Sequence, residues 1–146
     1  MSVSGIDKLN QNIDKLLARY GEDVKTALLM SAELVRGDAV RSIQTQTAGK
    51  TVTRYRQGGG SYQHVVSAPN TAPNTDTGAL VRSIVTEVQG EDVYVGSGLH
   101  YAPHLEFGTS KMIQRPFLNP ALEKNRKRIN RLITDAMKKT TDKGVK

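Results

Sequence analysis

The sequence predicts an α+β fold, and three patterns carry that expectation. Apolar residues recur at three- and four-residue steps over residues 4–45 and again over 119–139, the period of an amphipathic helix. Between them lie two pairs of short alternating segments, each joined by a glycine-containing turn, which read as antiparallel hairpins. Tyr101–Leu122 follows neither period and is broken by Pro103, Gly108, Pro116 and Pro120. The expected architecture is a single domain over residues 1–146. An N-terminal helical segment and a C-terminal helix pack on a small antiparallel sheet built from the two hairpins.

The N-terminal segment opens on Ser4, a good N-cap, with Asp7 three residues on as the acidic variant of a capping box. Its stripe runs through Ile6, Leu9, Ile13, Leu16, Leu17, Tyr20, Val24, Leu28, Leu34 and Val35. Gly21 and Gly37 interrupt it, each costing about 1 kcal/mol against Ala, so two helices or one bent near Gly21 are expected. A polar break at Thr45–Gly49 precedes strands at Thr51–Arg56 and Tyr62–Ser67, joined by Gln57–Ser61 with its three consecutive glycines. No Gly-Lys-Ser/Thr follows those glycines, so they do not read as a phosphate loop. Residues 51–75 are expected to form a mobile hairpin and loop presenting Arg54, Tyr55 and Arg56. Asp76 or Thr77 then caps a short turn over Gly78–Arg82, and Ser83–Gln89 pairs with Asp92–Ser97 about Gly90-Glu91.

Tyr101–Leu122 holds both phenylalanines and three of the five prolines. Proline fixes φ and glycine permits positive φ, so the stretch has a set but irregular shape, suited to recognition or positioning. Asn119 as N-cap and Pro120 at the first helical position start the last helix, which runs to about Lys139 before a frayed tail at 140–146. Its seam of Leu122, Ile129, Leu132, Ile133, Ala136 and Met137 is narrow. Leu9, Ile13, Leu16, Val24, Leu28, Ile84, Val93, Val95, Phe107, Phe117, Leu118 and Leu122 are the expected core.

A hydrophobic fraction of 37% with 5% aromatic residues allows a modest core, and self-assembly would bury further apolar surface. The absence of cysteine excludes disulfides, thiol catalysis and Cys-ligated zinc. No apolar run nears the roughly 20 residues of a membrane span, and MSVSGIDKLN lacks a signal-peptide pattern, so a chain made in a reducing cytoplasm is expected. The net charge of +7 is unevenly placed: zero over residues 1–48, +3 over 49–83, −4 over 84–110 and +8 over 111–146. An acidic middle and a basic end suit head-to-tail contact between copies, or contact with nucleic acid.

Three constellations invite chemical readings. Asp76-Thr77-Gly78-Ala79 matches the core of an aspartic-protease motif, which in so short a chain would need a homodimer. The polar Asn74-Thr75 before it is unlike the apolar strand of such enzymes, and a capped tight turn explains the same letters. His100 and His104, with Glu106 beyond, have metal-ligand spacing, but Pro103 lies between them and no HExxH order is present. Lys124, Arg126, Lys127, Arg128 and Arg131 crowd the last helix and would attract phosphate backbone without reading sequence. The residues call for no cofactor, no metal and no catalytic group.

Three segments taken together resemble a known family. They are Asp76–Ile84 (DTGALVRSI), Val95-Gly96-Ser97 followed by Tyr101-Ala102-Pro103, and Glu106-Phe107-Gly108-Thr109 followed by Arg115–Leu122 (RPFLNPAL). In that order and spacing they are similar to the tail-component family of long-tailed double-stranded DNA phages and prophages, over roughly residues 5–140. The resemblance implies a non-enzymatic virion protein of α+β fold, a tail-completion or neck component made in the host bacterial cytoplasm. It implies a homo-oligomeric ring, expected to be six-fold, around the DNA channel between the portal-side connector and the tail tube or its terminator. Non-specific contact with DNA in the channel follows if the basic helix lines it. Asp76, Gly78, Tyr101, Phe107, Gly108, Pro116, Phe117 and Pro120 are the expected framework. Glu106, Lys111, Arg115, Arg54, Arg56 and the basic helix are the expected interface.

Overall fold

The fold is α+β. The structure, a computed structural model, describes residues 4–144. The side chains of Ser4, Ile6, Asp7, Leu9 and Leu16 lie outside the described residues, and with them the expected capping box and two expected core members. The chain divides into two compact units, Met1–Ser31 with Arg126–Lys146, and Ala32–Asn125.

Helix α1 spans Ser4–Gln44 without a break, so the two-helix alternative is corrected. A Cβ at Gly21 would meet nothing within 4 Å, and one glycine's cost of about 1 kcal/mol is outweighed by the strong helix formers around it. Its buried positions are mostly small: Ala27, Ser31, Val35, Ala39 and Ile43 recur every fourth residue, with Ala32 and Asp38 beside them. The buried apolar core sits almost wholly in the Ala32–Asn125 unit, where Ile43, Ile84 and Phe117 are its largest fully buried side chains.

Strands β1 (Thr51–Tyr55) and β2 (Ser61–Val65) pair antiparallel, Thr51 opposite Val65 and Tyr55 opposite Ser61. After α2 (Ala79–Ser83), β3 (Ile84–Gln89) and β4 (Asp92–Ser97) pair from Ile84↔Ser97 to Gln89↔Asp92. Gly90, at φ 64°, makes their two-residue turn. The hairpins form two separate two-stranded sheets rather than the single sheet expected. The intervening chain explains this, because its hydrogen bonds go elsewhere. Asn70 N–H donates to Gln114 O at 2.9 Å, and Thr75 N–H donates to Ile43 O at 3.2 Å. Asn74 ties the loop further. Its Nδ2 donates to Thr47 O and Val65 O, each at 2.9 Å, and its Oδ1 accepts from Thr47 N–H at 2.8 Å. The loop after β2 is thus tied at Asn70, Asn74 and Thr75.

Helix α3 (Ala102–Phe107) lies inside the stretch read as irregular. Pro103 falls in its first turn, where a missing N–H leaves no bond unmade. Gly108, at φ 76° and ψ −178°, ends it and donates its N–H to His104 O at 2.9 Å. Helix α4 spans Leu118–Gly144, starting one residue ahead of Asn119 and continuing past Lys139 into the tail expected to fray. Residues 145–146 lie outside the described residues.

Three expected core residues are exposed: Ile13, Phe107 and Leu122. Helical phase accounts for two of them. Ala102 and Glu106, four apart, are the buried face of α3, which turns Phe107 outward at 78% exposure. Ala121 and Asn125 are likewise the buried face of α4, leaving Leu122 to one side. Ile13 lies on a part of α1 where no described side chain before Ala27 is buried.

Candidate assembly interface

Glu106 is the central correction. It is not presented to a neighbour but is 6% exposed, and its carboxylate closes the start of α4. Oε2 accepts from the backbone N–H of Phe117 at 2.9 Å and of Leu118 at 3.0 Å, and Oε1 accepts from Asn119 N–H at 2.7 Å. The next residue, Pro120, has no N–H. The donors that a helix start leaves without partners are thus satisfied by one distant side chain and one proline, and the negative charge sits at the positive end of the helix dipole. Asn119, the expected cap, is instead one of the capped residues. Arg115 N–H donates to Leu105 O at 2.6 Å, fixing the chain beside α3 so that Glu106 can reach. Because both Glu106 oxygens are so engaged, the His100–His104–Glu106 metal reading loses its third ligand. His100 instead stands edge-on to Tyr101, their rings 5.6 Å apart.

Asp76 likewise acts as a tie; of the two expected caps it is Thr77 whose hydroxyl accepts from the turn, from Ala79 N–H at 3.4 Å. Asp76 Oδ2 accepts from Arg54 Nη1 at 2.5 Å, its Oδ1 accepts from the Tyr62 hydroxyl at 2.7 Å, and His64 Nδ1 stands 3.7 Å away. That carboxylate holds the Tyr62 phenol above its ordinary pKa. Gly78, left-handed at φ 76°, takes the N-cap position of α2. Asp76 therefore pins the β1–β2 hairpin to the turn before α2, and its lone pairs are committed to a guanidinium and a phenol. A cleft of about 440 Å³ beside it is lined by Ile43, Leu80, Leu105 and Arg115 among others. Several of its polar groups are bonded within the chain: Asp76 to Arg54, Thr75 Oγ1 to Ile43 O at 3.0 Å, and Arg115 Nε to Ser67 O at 3.3 Å.

A third tie joins α1 to α4 within the Ala32–Asn125 unit. Buried Asp38 accepts from Asn125 Nδ2 at 2.7 Å, pairs with Lys124 Nζ at 3.2 Å and bonds Arg41. The Arg41 hydrogen bond first, then that of Asn125, lowers its carboxyl from 3.8 to about 2. Sequence reading missed both Asp38 and Asn125, since a polar pair on two distant helices leaves no local pattern. Ser83 and Ser97 add a hydroxyl–hydroxyl bond of 2.7 Å between the end of α2 and the end of β4.

No family model matches this chain, and neither does any curated protein or solved structure.

What the frame leaves exposed is charged and apolar surface. Lys111 is exposed on the turn closed by the Thr109–Met112 bridge, and Phe107 projects nearby in sequence with Ile113, also exposed. On α4, Arg126, Lys127, Arg128 and Arg131 are exposed, with Arg131 Nε 3.9 Å from Asp135. Lys127 and Arg128 have no acidic group within 4 Å among the described residues. Arg56 stands 5.4 Å from the centre of the Tyr62 ring, and Tyr55 is 82% exposed. Pro116 is half-buried against Phe117, and Pro120 is exposed. Of the expected interface, Lys111, Arg56 and the basic helix face outward, whereas Glu106 is buried and Arg54, Arg115 and Lys124 are partly committed within the chain. Among the described residues no helix is long and apolar enough to cross a membrane.

Proposed function

We propose that this chain is a phage structural protein that oligomerises as a ring, expected to be a hexamer, at the head–tail junction, where it joins the portal-side connector to the tail tube around the DNA channel. One observation chiefly supports the reading. The three resembling segments build a single bonded frame: Asp76 fixes the turn into α2, Ser83 meets Ser97, and Glu106 holds Phe117, Leu118 and Asn119. In that frame Asp76, Ser83, Ser97 and Glu106 all serve positioning. That is the economy of an assembly component, whose work is shape and complementarity. The aspartic-protease reading has less support, because a dyad needs a carboxylate able to share a proton and Asp76 is held by Arg54.

Deletion of the gene from its phage, followed by electron microscopy, tests the proposal. Heads and tails that form separately and fail to join are expected, with the protein located at the neck of wild-type particles. Normal tailed particles without it would end the proposal. A second reading has its own observation, the cations Lys127 and Arg128, without acidic partners among the described residues, which favour loose, sequence-blind contact with DNA. That reading requires affinity for duplex of any sequence that falls steeply with salt, and salt-independent or undetectable binding counts against it.

A further inference from the structure

We infer that the cleft beside Asp76 is a binding site for a carboxylate carried on an apolar skeleton. The inference goes beyond the assembly reading and does not depend on it. Every residue involved lies in the Ala32–Asn125 unit. There one face of the β1–β2 hairpin, the turn into α2 and the segment after α3 line a single space of about 440 Å³.

Register brings the donors together. Arg54 stands opposite Tyr62 and Val52 opposite His64, and residues two apart along a strand point the same way. Arg54 and His64 therefore share the face of the hairpin that turns toward Asp76. The His64 side chain is 9% exposed, yet it makes no hydrogen bond among the described residues. Asp76 Oδ1 stands 3.7 Å from its Nδ1, beyond hydrogen-bond reach, and that oxygen already accepts from Tyr62. An imidazole, neutral or charged, keeps at least one N–H donor. Among the described residues no fully buried side-chain nitrogen lacks a partner, so this free donor opens on accessible space, and His64 lines the cleft. Arg115 supplies the charge. Its Nε donates to Ser67 O at 3.3 Å, but its two amino groups meet no acceptor among the described residues. No acidic group there stands within 4 Å of this half-buried guanidinium.

The balance of charge selects the ligand. Arg54 and Asp76 form a neutral pair, so Arg115 leaves the cleft with one uncompensated positive charge. Among the described residues no other acidic side chain lines it. The adjoining cleft of about 370 Å³, which Arg115 also lines, adds Lys50 and again no carboxylate. One positive charge suits a monoanion better than a phosphate dianion, and the fork of a guanidinium matches the two oxygens of a carboxylate. Much of the remaining wall is apolar, with Ile43, Leu80, Leu105 and Met112, which favours a carbon skeleton over a free inorganic ion. Apolar walls with a few convergent polar groups, at this volume, are the common form of a small-ligand site. A free small acid and the C-terminal end of a protein chain both offer that chemistry, and the experiment separates them.

The experiment is an amide chemical-shift titration of the full chain at fixed ionic strength. The probes are hexanoate, its uncharged counterpart hexanamide, acetyl-Gly-Leu with a free carboxyl group, and inorganic phosphate. Both acids are expected to give saturable shifts at Leu80, Leu105 and Met112, at least about tenfold tighter than hexanamide or phosphate. Tighter binding of hexanoate assigns the site to a small acid, and tighter binding of acetyl-Gly-Leu assigns it to a chain end; either supports the inference. Arg115→Gln is expected to weaken both acids at least about tenfold, and His64→Phe, which keeps a ring but no donor, at least about threefold. Lys25→Gln, which removes the same charge from exposed α1 surface, is expected to leave them unchanged. Circular dichroism checks that each variant is folded, and the comparison of acid with amide decides even where Arg115→Gln does not fold. Hexanamide binding as tightly as hexanoate would show a merely apolar cavity and overturn the inference. Phosphate binding as tightly would assign the cleft to phosphate and overturn it as well. Acid binding unaltered in both Arg115→Gln and His64→Phe has the same force, as do shifts confined to α4 or no saturable shift at millimolar acid.

Discussion

A single glutamate does the work of a helix cap from a distance, and its removal is the sharpest residue-level prediction. Glu106→Ala leaves the N–H groups of Phe117, Leu118 and Asn119 without acceptors beside a buried core. Loss of a cap costs about 0.5–2 kcal/mol, and charge-assisted hydrogen bonds about 1.5–3 each before compensation by water, so a loss of about 2–4 kcal/mol is expected in urea unfolding. Glu106→Gln, which keeps one good acceptor oxygen, should lose roughly half of that. Asp38 gives a pH-dependent prediction. Its folded-state pKa is depressed, through Arg41 first, from 3.8 to about 2, so its contribution is present above pH 3.8 and is lost as pH falls through about 2. The gap in Tm between the wild type and Asp38→Asn should therefore be constant near neutrality and close between pH 4 and pH 2. A gap that widens on acidification would contradict this.

At the scale of elements, the turn after α3 sets how the chain reaches α4. Gly108 has a backbone conformation that other residues rarely adopt, and a Cβ there would meet Met112 O at 2.8 Å and Gln114 N at 2.9 Å. Gly108→Ala is expected to cost about 1–3 kcal/mol and to mimic part of the Glu106→Ala effect, because both changes misplace the start of α4. The two phenylalanines separate by helical phase. Phe117→Ala should cost about 3–5 kcal/mol, as for a fully buried aromatic. Phe107→Ala should leave Tm nearly unchanged, since its side chain is mostly in water. Equal Tm losses in the two variants would show that Phe107 packs inward after all.

On the scale of the whole molecule, the chain buries a core made largely of alanine and leaves Leu17, Met30, Tyr55, Tyr94 and Phe107 exposed. Scattered exposed apolar residues are ordinary in a folded chain, and self-association would cover some of them. Self-association stabilises the folded state by mass action, so Tm should rise with chain concentration at low salt and lose that dependence at high salt. A Tm independent of concentration under both conditions would speak for a solitary monomer and against assembly driven by charge.

The sequence by itself determined the class of the fold, because hydrophobic period is a local property. The 3.6-residue stripe marked α1 and α4, and the alternating segments marked both hairpins to within a residue or two. It also exposed the segregation of charge that underlies the assembly reading. Only the tertiary structure decided what the polar residues do. Pro103 breaks a helix in its interior and is harmless in the first turn, and that distinction needs the neighbouring backbone. Glu106 in the sequence is one acidic residue in a varied loop. Its role depends on three N–H groups eleven to thirteen residues away, just as Asp38 depends on Asn125 at a separation of 87. Long-range hydrogen bonds have no period, so no pattern along the chain announces them. Which charges stay free for a partner follows from which are consumed at home, and that is settled only when the chain has folded.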